Sequence, residues 1–282
     1  SDTFDIVTTG TSKNIGITGA INTNDIDLSL TATGNITADA DRTITVGTLA
    51  IDATGAFDLD TGNSVEGDIV TDGGLVSIQA ASVDMGNITT TSSTGGTVSG
   101  AVYINSTGAA GGAFIAGSAG VGNIATTGSV GTAAGAIGGI IEILADSVTM
   151  GSLVSTGGAA GGAGHSAGGA AASITVKSNT GAIAGTAGSP LTEVITATGG
   201  AGGNTDGSGG AAGNITIVQE VSGSRNAGVL TLDGAITSLG GALKAGGTGA
   251  DGTSGIISIT AGNVTVSSVI KAATVNIAAD GT

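Results

Sequence analysis

The sequence predicts an all-β solenoid, a right-handed parallel β-helix, on three observations. Alternating aliphatic pairs such as Leu28/Leu30, Val102/Ile104 and Ile174/Val176 recur along the chain, with the period of a strand that buries one face. The pairs are spaced by about 20 residues, or by that length plus an insert, which is the signature of a stacked repeat. Composition is the third. The 282 residues include 56 Gly but one Pro, three Phe, one Tyr and no Trp. Such a chain lacks the aromatic area of an ordinary core of this size. At 40% hydrophobic residues and a mean hydropathy of +0.43, it is also too apolar for disorder. Small and β-branched residues suit a thin interior built in near-identical layers. Helix is excluded by the Gly, Thr, Val and Ile content together with the period of two. A two-sheet sandwich would need varied hairpin turns, and regularly spaced Asn-Gly or Asp-Gly signals are few.

We read residues 1–282 as one elongated β-helix in three stretches. Residues 1–88 form compact, acidic coils. Here the alternating pairs are Ile15/Ile17, Ile26/Leu28/Leu30, Ile44/Val46, Leu49/Ile51, Phe57/Leu59 and Val76/Ile78. Taking Leu28 to Val46 and Leu59 to Ile78 as repeats gives spacings of 18 and 19 residues. Short pieces of the form Gly-x-Ile or Gly-x-Leu lie between, as in Gly34-Asn35-Ile36, Gly47-Thr48-Leu49, Gly67-Asp68-Ile69 and Gly86-Asn87-Ile88. Each offers one inward residue after a bend. Asn and Thr at the bends fit corners, where Asn tolerates left-handed backbone and bonds locally through its side chain.

Residues 89–255 carry Gly/Ala-rich inserts. Asp146 to Lys177 sets the pattern: an apolar piece with Val148, Met150 and Leu153, a Gly/Ala run from Gly157 to Ala172, then the alternating strand Ser173-Ile174-Thr175-Val176-Lys177. The strand pairs Val102/Ile104, Ile141/Ile143, Ile174/Val176, Ile215/Ile217, Ile257/Ile259 and Val275/Ile277 are spaced by 39, 33, 41, 42 and 18 residues. The longer spacings come from the runs Thr89 to Gly100, Thr126 to Gly139, Gly157 to Ala172, Gly199 to Gly213 and Gly240 to Gly255. Each enters before a strand pair, so all leave one recurrent corner. Flexible linkers are one reading. Against it, the runs bring apolar residues such as Phe114, Ile115, Ile137 and Leu243, and they fall beside one another. Extended glycine chains can pack side by side in a polyproline-II-like state. We therefore expect a ridge along one side of the β-helix. Residues 256–282 return to compact coils.

The coils Gly19-Ala20-Ile21-Asn22 to Thr37-Ala38, and Gly47-Thr48-Leu49-Ala50-Ile51-Asp52-Ala53-Thr54-Gly55, resemble the repeats of filamentous-haemagglutinin-like bacterial surface proteins. The resemblance implies a right-handed parallel β-helix forming part of a long extracellular shaft.

The net charge is −15, with six basic residues scattered among 21 acidic ones. A nucleic-acid surface needs clustered Lys and Arg, so that partner class is excluded, and an anionic membrane surface is disfavoured for the same reason. Residues 1–84 hold 13 of the carboxylates against Lys13 and Arg42. There is no cysteine, which suits an exported protein without proving export. No apolar run is long enough to span a bilayer as a helix. The chain starts without Met or signal peptide, inside the strand Thr3-Phe4-Asp5-Ile6-Val7, as a processed product or a piece of a longer one would.

Chemistry finds little to work with. His165 is the single histidine and sits among Gly, Ala and Ser, with no carboxylate or thiol near it in sequence to orient it as an acid, a base or a triad member. The pairs Asp25/Asp27, Asp39/Asp41 and Asp58/Asp60 are candidates for glycoside chemistry, which needs two carboxylates facing across a cleft. Four aromatic residues give little for sugar stacking, and Arg42 beside Asp41 points away from it in a strand. The plainer reading is a solvated acidic face. A Ca²⁺-binding nonapeptide repeat is matched only in part by Gly202-Gly203-Asn204-Thr205-Asp206-Gly207, and weak Ca²⁺ binding near residues 39/41 or 58/60 stays open. Thr31-Ala32-Thr33 and Thr196-Ala197-Thr198 have the form of a water-ordering ladder, but no Thr-x-Thr recurs at every coil. The inserts lack a phosphate-binding pattern.

We therefore expect no catalytic, cofactor-binding or metal site, and a structural extracellular protein: a shaft, or the subunit of a surface filament. Its expected partners are copies of itself or flanking coils of a longer chain, joined through the unpaired strands Ser1 to Val7 and Ala273 to Ile277. Cell-surface or matrix components are further partners in view. The rival readings are a glycan- or host-binding adhesin, in which the inserts recognise, and a polysaccharide-degrading enzyme built on paired carboxylates with Arg42 or Arg225.

Overall fold

The computed structural model describes residues 2–39, 42–59, 67–107, 112–116, 122–161, 166–185, 191–203, 207–220, 228–243 and 248–279. Among them every regular element is a strand, and every strand pairing is parallel. Three strands per turn of chain line three faces. Sheet A has ten strands, from Thr3–Val7 to Thr274–Ala279, and sheet C has nine, from Ile21–Asn22 to Ile270–Lys271. Sheet B has seven, from Ile15–Ile17 to Ile183–Gly185, and resumes as a pair, Val229–Leu232 on Asn263–Val266. The chain is a parallel β-helix of nine full coils and a tenth sheet A strand.

Sheet A carries the core. Its inward columns run Leu28, Leu49, Val76, Val102, Ile141, Ile174, Ile215, Ile257 and Leu30, Ile51, Ile78, Ile104, Ile143, Val176, Ile217, Ile259, each residue in register on the next. All are buried. Burying each aliphatic side chain stabilises the fold by about 1.5–3 kcal/mol. From Val102 onward the pairs read from the sequence are these columns. In the first coils the pairing differs. Leu28 stacks on Leu49, while Val46 belongs to sheet C. Likewise Leu59 follows a sheet B strand and Ile78 lies in sheet A. Ile26 stays 38% exposed in the corner before its strand. Three faces share one period-two pattern, so spacing alone cannot tell a neighbour above from a neighbour on the next face. The Gly-x-Ile pieces deliver Ile36, Leu49, Ile69 and Ile88, all buried, to sheets B, A, C and C.

Corners are held by side-chain ladders. Asn14 Oδ1 accepts the Asn35 N–H at 2.8 Å, and Asn35 Oδ1 accepts the Ala56 N–H at 3.0 Å. A second ladder climbs from Asp68 to Asn87 (2.8 Å), Asn123 (2.9 Å) and Ser152 (2.8 Å). Left-handed backbone, the expected device, occurs at the corner residue Asn24 but is not the means at these ladder positions. Among the described non-glycine residues only Ser12 and Asn24 have positive φ. The corner asparagines bond to the coil above instead, which satisfies backbone donors that a bend would leave unpaired.

The Gly-rich runs all leave between sheet C and the next sheet A strand, and their described residues form a second layer. Phe114 and Ile115 are no part of it. They lie on the sheet B strand Ala113–Ala116, with Phe114 buried between Val83 and Val148. In each longer insert an outgoing leg and a returning leg run side by side. Outgoing legs bond upward every third residue: Gly157 N–H to Thr198 O and Ala160 N–H to Ala201 O (both 3.0 Å), then Gly199 to Leu239 and Gly202 to Ala242 (both 3.1 Å). Returning legs do the same, with Gly168 to Ser208, Ala171 to Ala211 and Ile174 to Asn214, each at 2.9 Å. Between the legs runs a zigzag of 2.8 Å bonds: Gly169 N–H to Gly158 O, Gly200 to Gly169, Gly210 to Gly200, Gly241 to Gly210 and Gly252 to Gly241. A three-residue period is that of polyproline II, so successive residues address three directions. Two directions meet other legs and the third meets solvent. Glycine is required where one leg lies directly over another, as at Gly169 and Gly210. A Cβ on Gly169 would lie 1.8 Å from Ala136 O, and one on Gly210 would lie 1.9 Å from Gly169 O.

Buried hydroxyls tie this layer to the β-helix. Thr90, Thr126 and Ser238, at the inward end of sheet C, each donate at 2.7 Å to Gly100, Gly139 and Gly213 carbonyls. Ser155 donates to Gly139 O at 2.9 Å and accepts the Ala172 N–H at 3.0 Å. The last insert finishes the layer with side chains. Leu243 N–H, which has no outgoing leg above it, donates to Asp251 Oδ1 at 2.8 Å, and Gly240 N–H reaches Ser254 Oγ at 3.4 Å.

Candidate functional site

Several residues singled out in the sequence lie outside the described ones: His165, Asp41, Asp60, Arg225 and Asn204 to Asp206. Gly202 and Gly203 are described, and both belong to the glycine layer. Gly202 N–H bonds Ala242 O, and Gly203 N–H bonds Ser166 O at 2.8 Å. Arg42 pairs with Asp39 at 2.7 Å, three residues back. Asp27 starts a sheet A strand and faces outward, while Asp25 lies in the corner before it. Asp58 stands beside Asp84 on the next rung of sheet B. No group of three or more His, Cys, Asp or Glu side chains comes together among the described residues.

Two outward regions gather polar groups. The first is a groove of about 450 Å³ where the first insert steps over sheet C, lined by Asn24, Asp25, Val70, Asp72, Thr91 and Ser93 among others. Asp72 anchors the step. Its Oδ2 accepts the Ser93 hydroxyl at 2.5 Å and its Oδ1 accepts the Ser93 N–H. The Ser93 hydroxyl first, and then the Ser93 N–H, hold the Asp72 carboxyl below the usual carboxylate range, since both favour the charged form. Because the Asp72 oxygens are spent on the insert, the groove reads first as a structural step.

The second region is on the outer face of sheet A. Tyr103 sits between Ser77 on the rung below and Glu142 on the rung above. Two residues along, Gln79, Asn105 and Leu144 form a parallel column. A shallow hollow of about 120 Å³ lies among these six side chains. The sequence carries half of this arrangement. In Val102-Tyr103-Ile104 the flanking aliphatics are inward, so the Tyr is outward. Its neighbours come from chain 26 and 39 residues away, set by unequal coil lengths.

Threonines also align more than the sequence spacing implies. Thr127, Thr156 and Thr198 stack on three successive rungs of sheet C, and Thr91 continues the column below. Thr33, by contrast, is a corner staple, donating to Gly10 O and accepting the Lys13 N–H at 3.1 Å. Inserts of different length hide the column. It ends at Leu239 above and at Asp72 below.

No protein-family model, curated protein or solved structure matches the chain.

Proposed function

We propose that the chain is a structural rod, a stretch of extracellular shaft or filament of the kind the filamentous-haemagglutinin-like resemblance implies. The observation that carries this reading is the unbroken stacking of sheet A through ten rungs over one continuous core. Such a solenoid resists bending because every residue added to a rung is bonded to the rung above and below. Two further features support it. The glycine layer stiffens the corner where loops would otherwise be loose, bonding every third residue of its legs to the next coil. The outermost rungs present unpaired strand edges with inward-column residues uncovered: Phe4 is 55% and Ile277 47% exposed. A neighbouring coil, from flanking chain or from another copy, satisfies both.

Electron microscopy of the purified chain tests the reading. Nine rung steps at about 4.8 Å give a straight particle with a core roughly 43 Å long, and end-to-end pairing gives multiples of that length at high concentration. Bent or variable particles would overturn the rod. Isolated straight particles at every concentration would remove self-assembly and leave a shaft segment.

A further inference from the structure

We propose that the outer face of sheet A around Tyr103 binds a neutral hexopyranose, as a terminal or internal unit of a glycan. This goes beyond the rod and does not rest on it. The other three aromatics, Phe4, Phe57 and Phe114, occupy inward columns, and Phe57 and Phe114 are fully buried. Tyr103 alone turns outward, 37% exposed, on a chain that otherwise avoids rings. Around it stand the groups that read sugar hydroxyls. Glu142 offers two acceptor oxygens on the rung above. Asn105 has its oxygen taken by Thr107, through the hydroxyl at 2.9 Å and the N–H at 3.3 Å, which turns its NH₂ into an outward donor. Gln79, exposed on the rung below, can donate and accept. Leu144 and the Tyr103 ring supply the apolar side of the hollow.

The dimensions fit one ring. Neighbouring rungs are about 4.8 Å apart and alternate residues about 6.6 Å apart along a strand, so the carboxylate and the two amides flank the Tyr ring at the reach of hydroxyls on a single pyranose. The C–H face of the sugar lies on the phenol ring while its hydroxyls reach the planar groups at the edge. Every one of these residues is on a strand whose backbone is fixed by ladder bonds on both sides, so little ordering is needed on binding. Charge sets the selectivity. Glu142 and a net charge of −15 repel uronic, sialic and sulfated sugars.

Tyr103 reports on its own site, because the chain has one Tyr and no Trp. The experiment titrates the intact chain with glucose, galactose, mannose, N-acetylglucosamine and glucuronate while following tyrosine emission. We expect a saturable change with at least one neutral sugar, with a Kd on the order of 1–10 mM, as suits a shallow single-ring site, and none with glucuronate. On an array of immobilised neutral glycans, Tyr103→Ala abolishes retention and Glu142→Gln weakens it roughly tenfold, with circular dichroism unchanged because both side chains point outward. Emission that is flat with all four neutral sugars overturns the proposal. So does a response to glucuronate equal to theirs, or array binding that Tyr103→Ala leaves intact. None of these results bears on the rod, which the microscopy tests separately.

Discussion

Replacing Gly169 by Ala tests the glycine layer where an outgoing and a returning leg meet. The added Cβ meets Ala136 O at 1.8 Å, and real carbons essentially never come within 3.0 Å. The returning leg must therefore withdraw by about 1.2 Å. Gly169 is the hub of two zigzag bonds, donating to Gly158 O and accepting from Gly200 N–H, both at 2.8 Å. Withdrawal by that distance breaks both. Overpacking costs about 1–3 kcal/mol and each lost hydrogen bond about 0.5–1.5 kcal/mol, so a loss of roughly 2–6 kcal/mol is expected. The natural control is Ala167→Val in the same leg. Ala167 is exposed, and the same kind of added bulk there changes stability by less than about 0.5 kcal/mol. Urea denaturation measures both variants, and amide exchange at Gly158, Gly200 and Gly210 locates the damage. If Gly169→Ala unfolds at the same urea concentration as the parent, with those amides still protected, the legs are not packed as described.

Three further outcomes are expected. Gln219 is buried where small residues fill the column elsewhere, and its Oε1 accepts the Ile183 N–H at 2.8 Å across the break in sheet B. Gln219→Ala orphans that N–H and lowers stability by about 1–3 kcal/mol in urea denaturation; an unchanged midpoint would contradict it. Asp251→Ala uncaps the edge of the glycine layer, costing about 0.5–1.5 kcal/mol, with faster amide exchange at Leu243 and none at Gly202, whose N–H is covered by Ala242 O. Asp72 has a folded pKa below its unfolded value, so the stability it adds is present above the ordinary carboxylate pKa of about 3.9 and is lost as pH falls through the lower folded value. The Ser93 amide resonance should titrate with a midpoint below that ordinary value, and a midpoint at or above it would refute the anchoring.

Legibility in the sequence followed geometry. From Val102 onward one clear strand pair marks each coil, because Gly-rich runs separate it from everything else, and the register read there is that of sheet A. In the first four coils the faces are separated only by short bends, so Leu28 looked as close to Val46 as to Leu49. The ridge was foreseeable from the recurrence of the inserts at one corner. Its zigzag was not, since a three-residue period is blurred where Ala136 stands in the place of Gly169 and Gly210. Asn35 and Asn87 were legible as corner residues, but their bonds reach the next coil and not their own turn. Tyr103 was legible as outward, yet Glu142 and Gln79 come beside it only through coil lengths that no local pattern records.

The side chains that close off the last insert have a consequence for how such a molecule can change in length. Residues 174–214 carry one strand of each face and one insert, and they hand over to Ile215 in the position of Ile174. Copying or excising that 41-residue cassette in the gene keeps the columns of sheets A and C aligned and leaves Asp251 and Ser254 sealing the margin. Height along the rod and breadth of the glycine sheet are thus inherited together inside the decorated part, whereas plain coils added at either extremity lengthen the molecule alone.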